Sequence, residues 1–468
     1  MSARSLQVQQ QGIEVAGNNL ANVNNPAYSR QRVVISTATT VEGANGFLEG
    51  TGADVSNIQQ IRDSILDGQM ISESGVTGSL DAQQQALQYA QSNLGQSIDS
   101  NATGAAGSAA ASVSGGQHGI GDAINSFFDS VQGLSGQASA PEKRTALLNS
   151  AQQLADRFRQ TDKRLADLNS SLNDNVSSDV DRANSLLSDI AKLNQDITRA
   201  EASGKGTAND LRDQRQAKLE DLGKLVKFDA TPADNGAVNV SVGGVMMVEA
   251  STVQDKLQAY DAGNNKTMVR AATAGTPLDI TSGHIQGLIE ARDGAIQQMR
   301  DNLSTLASTM ITQINQLHQN GYGTDNSTGL DFFQGNDASD IKVNQALIDN
   351  PSKIAASGTP DTPGNNAIAK QIAQLATTTS SSLNNQTFTG NYNKIVGDLG
   401  TALSSVNKNV SDQAAVSKLV QTQRDSVSGV SVDEEMTDLM KYQRAYQASA
   451  QVVNVVNTML DTVINMVH

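Results

Sequence analysis

Residues 428–468 read SGVSVDEEMTDLMKYQRAYQASAQVVNVVNTMLDTVINMVH. Ser431, followed three residues later by Glu434, forms a capping-box pattern, and Asp433 places negative charge where a helix dipole is positive. Gly429 lets the chain turn before the helix begins. Val432, Leu439, Tyr446, Val453, Leu460 and Val467 then recur every seven residues, with no Gly or Pro in between. Met436, Ala450 and Ile464 each sit four residues after a member of that series and form a second one, which Gln443 and Asn457 interrupt. The pattern predicts one long amphipathic helix with a narrow apolar stripe, the seam of a coiled coil. A lone helix cannot bury such a stripe, so a partner is required.

The opposite end of the chain offers one. Leu6, Ile13 and Leu20 also recur every seven residues, while the polar face of residues 1–24 is mostly Gln and Asn. Asn24-Asn25-Pro26 stops the helix, because a residue before proline is pushed out of the α region. Taken alone, this segment fits an ordinary amphipathic helix on a globular core. The matching repeat at the other end favours a paired terminal unit made of 1–35 and 426–468.

Composition limits what lies between. The chain has 468 residues, 38% of them apolar and 3% aromatic, with no Trp. Such a chain builds helical layers with small contacts. A formal net charge of −15 argues against nucleic acid, whose phosphates need clustered Lys and Arg. The absence of Cys excludes disulfides and thiolate metal sites. The segment MSARSLQVQQQ has no apolar core of a signal peptide, and no run approaches a membrane span, so no membrane partner is expected.

From Glu142 to Ser203 there is no Gly or Pro, and Leu147, Ala151, Leu154, Phe158, Thr161, Leu165, Leu168 and Leu172 step by four and three. This predicts a rod about 90 Å long, opened by Pro141 at its first turn, with the polar stretch 173–178 as its candidate kink. Residues 31–60 alternate as a short hairpin, and 61–98 read as a helix with breaks. Residues 101–119 are Gly, Ala and Ser and read as a loop. In 223–282, Val238, Val240 and Val242 alternate up to a Gly243-Gly244 turn, which predicts about sixty residues of antiparallel β. Helix returns over 283–319 and 392–424, with Phe127-Phe128 and Phe332-Phe333 as aromatic anchors. The expected fold is mainly α with a small antiparallel β insertion. It is a long-helix bundle built from both halves of the chain (36–222 and 283–425), with an outward-facing β unit at 223–282 and the terminal helices paired as a coiled coil.

Catalytic patterns are missing: there is no His-Glu-x-x-His, Gly-x-Ser-x-Gly, P-loop or Cys nucleophile. His318, Asp325, Asp331 and Asp337 form the densest metal-like group, but their spacing fits neither an EF-hand nor a zinc motif. The sequence therefore names no catalytic residue, cofactor or metal. The site it predicts is an assembly seam: Leu6, Ile13 and Leu20 with Val432, Leu439, Tyr446, Val453, Leu460 and Val467, capped by Ser431 and Glu434.

The stretch GIEVAGNNLANVNNPAYSRQRV at 12–33 resembles the N-terminal signature of bacterial flagellar axial proteins. The ending RDSVSGVSVDEE into QRAYQ resembles the members that join hook to filament. Two departures stand out: Ala27 occupies a place where that family usually has Gly, and the family's first helix usually starts several residues earlier. The resemblance implies a structural, non-enzymatic part of the flagellum that adapts hook to filament and is required for filament growth. It implies export through the flagellar type III apparatus without a cleaved signal, with an extracellular destination. The implied partners are copies of itself, the hook protein, a second hook–filament junction protein and a dedicated export chaperone. The alternatives are another axial protein (hook or rod) and, from a different class, a secreted enzyme or adhesin on an axial scaffold.

Overall fold

The computed structural model describes residues 2–42, 47–94, 119–202 and 206–466. Helix α1 (Ser2–Ala21) leads into a hairpin, β1 (Gln31–Thr37) with β4 (Ala53–Gln60), whose far end carries β2 (Val41–Glu42) and β3 (Leu48–Glu49). Three helices follow: α2 (Ser64–Asn93), α3 (Ile120–Gly136) and the rod α4 (Pro141–Glu201). The Gly/Ala/Ser stretch read as a loop falls almost wholly on 95–118, and Val467 on 467–468, outside the described residues.

Helix α4 is unbroken for 61 residues, about 90 Å at roughly 1.5 Å per residue. Its apolar stripe explains why: Ala151, Leu154, Phe158, Leu165, Val176, Ala183, Leu187, Ile190 and Ile197 are all buried, and a continuous buried face holds a helix that propensity alone would not. The helix continues through the polar stretch at 173–178, where Asn173 is buried and committed to the β segment described below.

Helix α2 is likewise unbroken, contrary to the expected interruptions. Two of its glycines, Gly75 and Gly78, serve close packing: a Cβ at Gly78 would lie 2.2 Å from the carbonyl oxygen of Lys224. That neighbour is the end of α5 (Asn209–Leu225). Only a residue without a side chain lets the two backbones come that near.

The β segment comprises a four-stranded antiparallel sheet, β5 (Asp229–Pro232), β6 (Val238–Val242), β7 (Val245–Glu249) and β8 (Thr252–Val253), and a separate hairpin, β9 (Leu257–Asp261) with β10 (Thr267–Ala271). Three asparagines of α4 fasten it. The Asn173 amide donates to Asn265 O (2.7 Å) and accepts from Thr267 N (3.1 Å). Asn184 donates to and accepts from the backbone of Leu257 (2.8 and 2.9 Å). Asn194 does the same at Val238 (2.8 and 3.1 Å). Each side-chain amide thus imitates a neighbouring strand, supplying one donor and one acceptor to buried main chain.

Chain then returns through α6 (His284–Ala291), a π-helical turn at Arg292–Ile296, and α7 (Gln297–Gln319). The expected single helix over 283–319 therefore carries one bulge, at which the buried Arg292 reaches Asn173 Oδ1 and Thr267 O (2.6 Å each). After β11 (Phe333–Gln334), β12 (Lys342–Val343), α8 (Gln345–Asp349) and α9 (Ala367–Gln374) come α10 (Phe388–Ser428) and α11 (Val432–Met466). The two anchoring phenylalanine pairs meet: the Phe127 ring lies 5.9 Å from Phe332 and 5.7 Å from Phe333, and Phe128 stacks 5.8 Å from Phe388. The core of the body runs along α4 and through this cluster.

Candidate functional site

Helices α1 and α11 lie antiparallel, and three contacts set their register. Ser5 Oγ and Ser449 Oγ are 3.0 Å apart. A Cβ on Gly12 would lie 2.6 Å from the Tyr442 ring. Asn19 Nδ2 donates to Glu435 Oε2 at 3.0 Å. Each contact is seven residues from the next on both helices. The period read from the sequence is therefore present, but the contact line runs one residue before Leu6, Ile13 and Leu20, which are half-buried beside it. On α11, Leu439 and Val453 are also half-buried, while Val432, Tyr446 and Leu460 are exposed. Small and polar residues make the line because two helix backbones and a tyrosine ring need the space that Ser5 and Gly12 leave.

At its inner end the line becomes a closed polar network. Asn19 is 1% exposed and uses every bonding position it has. Its Nδ2 donates to Gln31 O (2.8 Å) and Glu435 Oε2 (3.0 Å), and its Oδ1 accepts from Tyr28 Oη (2.8 Å) and Gln31 N (3.0 Å). Arg30 completes the other side, with Nε on Glu435 Oε1 (2.6 Å) and Nη1 on Glu434 Oε2 (2.5 Å). The Glu434 carboxylate of the expected capping box is thus engaged by Arg30 across the junction, while Ser431 gives its carbonyl to Glu435 N at 3.0 Å, as an N-terminal helix residue does. The backbone at Ala27 does not take a positive φ.

The same segment is bolted to the body. Arg30 N donates to Ser428 O (2.9 Å), and Ser29 N to Asp213 Oδ2 (3.3 Å). Arg62 bridges Asp67 and Asp213 (3.0 and 2.9 Å), and Arg424 pairs with Glu220 (2.6 Å). Burial raises the Asp67 and Asp213 carboxyls above their usual range despite Arg62. Burial, with the charges of Asp210, Asp213 and Glu435 behind it, also raises the Tyr28 hydroxyl, which stays a protonated donor. The network offers no free nucleophile beside a base; its chemistry is that of a lock between helices.

Beyond the lock, α11 outruns its partner. By the register above, α1 begins opposite Val452, so the last fourteen residues of α11, about 21 Å, lie past it. Val455, Met459, Leu460, Val463 and Ile464 are exposed along this stretch.

Elsewhere the sequence candidates resolve otherwise. His318 has both ring nitrogens engaged, Nδ1 with Leu330 O (2.6 Å) and Nε2 accepting from Ala355 N (2.9 Å), which removes it as a ligand. Among the described residues no group of three or more His, Cys, Asp or Glu could hold a metal ion, and no helix is long and apolar enough to cross a membrane. Sequence reasoning missed Asn19, Tyr28, Gln31 and Glu435 as site residues. The available signal was the second, polar heptad line of Ser5, Gly12 and Asn19.

Comparison with known proteins agrees with this architecture. The family model for the flagellar hook-associated protein FlgK helical domain matches residues 110–333, and that for the flagellar basal body rod FlgEFG protein C-terminal region matches 421–466. Flagellar hook-associated protein 1 of Salmonella typhimurium is 25% identical, covering 98% of this chain and 98% of that protein. Its counterpart in Bacillus subtilis is 26% identical, covering 99% and 96%. The structure of the flagellar hook junction protein FlgK from Burkholderia pseudomallei superposes with a TM-score of 0.64 at 15% identity, over 77% of this chain and all of that one, a likeness of fold. With its terminal pair, rod-like body and full-length match, the chain is similar throughout to flagellar hook-associated protein 1, an axial protein of the bacterial flagellum.

Proposed function

We propose that the chain adapts the hook to the filament through its paired terminal helices, and that filament growth requires it. It is a structural component of the bacterial flagellum at the junction between the two. The observation that supports the finer reading is the exposed apolar stripe of α11 beyond its contacts with the described residues of α1, on the same helix as the Asn19–Arg30–Glu435 lock. Copies that stack would bury this stripe against one another, and the newly buried apolar area would drive assembly. Repetition of one such contact from copy to copy builds rings or helical tubes.

In this reading the terminal unit (1–35 with 426–468) makes the axial contacts. The helical body (36–222 with 283–425) sets the radius, and the β segment (223–282) faces outward. The seam read from sequence, Leu6 to Leu20 and Val432 to Val467, then serves contacts between copies as much as those within one. The protein is no enzyme. Its partners are further copies, the hook protein and the second hook–filament junction protein. A dedicated chaperone and the flagellar type III apparatus deliver it outside the cell without a cleaved signal.

Complementation of a strain lacking the protein tests this. A chain ending at Gln451 keeps the lock and the body. It is expected to be exported and folded yet to leave hooks without filaments, with flagellin lost to the medium. Normal filaments from that truncation would sink the reading.

A further inference from the structure

Where α4 ends against the β segment there is a cavity of about 600 Å3 lined by Thr198, Glu201, Arg212, Arg215 and the turn 232–238. Arg215 is 7% exposed, yet its protein acceptors are all neutral: Nη1 donates to Asn194 Oδ1 (2.9 Å) and Gly236 O (2.8 Å). Asn194 has nothing further to give, since its amide is already spent on Val238 and Ala250. Glu201 favours the charged Arg215 electrostatically but makes no hydrogen bond to it. Glu201 is held by Arg212 in a two-point pair (2.8 Å each), and Asp234 is exposed to solvent. Nε and Nη2 of Arg215 have no acceptor among the described residues and are not sealed from solvent, so the cavity is where they are open.

A buried guanidinium with free forked donors is matched by a planar, two-oxygen anion. We propose that this cavity is an oxyanion site, in which Arg215 grips a carboxylate or phosphate group two-pointedly through its Nε and Nη2. The bound anion adds the directly hydrogen-bonded countercharge that Arg215 lacks. Burial, and then the charge of Arg212, depress the Arg215 guanidinium to about 10, with Glu201 offsetting only part of the shift. The anion is either free in solution or the acidic side chain of a second copy, and the two sources share one chemistry.

The full chain is titrated with inorganic phosphate against chloride at matched ionic strength, and thermal unfolding is followed. At about 100-fold over its Kd, phosphate is expected to raise Tm by roughly 3–5 °C more than chloride. Arg215→Lys keeps the charge but loses the fork, and should weaken the phosphate response roughly tenfold. Ala233→Glu places a carboxylate in the cavity lining without touching the Arg215 contacts. It should fold as wild type, start from a higher Tm and no longer respond. Equal effects of phosphate and chloride on the wild type, or an undiminished response in Ala233→Glu, overturns the site. Sedimentation of the wild type separates the sources: self-association dispersed by phosphate assigns the anion to a second copy, and a monomer throughout assigns it to a free oxyanion.

Discussion

The body and the terminal unit solve the same problem, holding long helices together, with opposite materials. In the body the contact is dry. Phe127, Phe158, Phe332 and Phe333 are each at most 1% exposed, and α4 buries leucine and isoleucine over most of its length. In the terminal unit the contact is a line of Ser5, Gly12 and Asn19 that ends in a network of carboxylates and arginines. A dry core releases water over a large area and stabilises in proportion. A polar line gains little net stability from each hydrogen bond, but leaving one of its groups unpaired is costly. The body is therefore stable by itself, whereas the terminal unit is specific first and stable second.

Three measurements stress that contrast. The largest effect belongs to the body: Phe127→Ala removes the ring at the centre of the aromatic cluster and should cost about 3–5 kcal/mol in urea unfolding. A cost under about 1 kcal/mol would show that the cluster does not anchor the body.

Acid separates the aromatic core from the junction by sign. His318 is neutral when folded, because burial holds its ring at about 4 against an ordinary 6.5, with Leu330 and Asp331 only partly offsetting the burial. The unfolded chain takes up that proton first, so stability is lost as pH falls from 6.5 towards 4, by about 2–3 kcal/mol between pH 7 and 4.5. The loss should shrink in His318→Gln. At the junction the raised Asp67 and Asp213 carboxyls work the other way. Their contribution is fully present below the ordinary carboxylate value and is lost as pH rises through the raised folded values. Amide exchange around Ser29 and at 62–67 and 210–216 should therefore suffer less from acid than exchange in α3 and α7; uniform loosening would erase the contrast.

The smallest effect is the most local. Gly12→Leu drives a side chain into the Tyr442 ring and should cost about 1–3 kcal/mol within the α1–α11 pair. Proteolysis of α11 should quicken while the unfolding midpoint of the body stays put. A shift of the body midpoint would mean that the two regions are one cooperative unit.

The sequence disclosed what periodicity can carry. The stripe on α4, the heptads at both ends and the alternation before Gly243 all repeat at fixed spacing, and burial imposes that spacing. It did not disclose which of two heptad lines on α1 forms the contact. Leu6, Ile13 and Leu20 look like the seam because they are large and apolar. The chosen line is set by how closely backbones approach, and that depends on a partner more than 400 residues away. Nor does a glycine announce its purpose: Gly78 reads as a helix breaker until the carbonyl of Lys224 is seen beside it. Asn19 and Asn194 are ordinary polar residues in the sequence. They become joints only when four separate groups converge on each.

The three asparagines of α4 also decide how the molecule answers force. Asn173, Asn184 and Asn194 grip the β segment at points about 15 Å apart along the rod axis. A tug on that segment directed along the rod loads all three grips at once, in shear. A tug directed away from the rod meets them one after another, in the manner of a peel. The β segment is thus strong lengthwise and weaker outward, an anisotropy written into three side chains of a single helix.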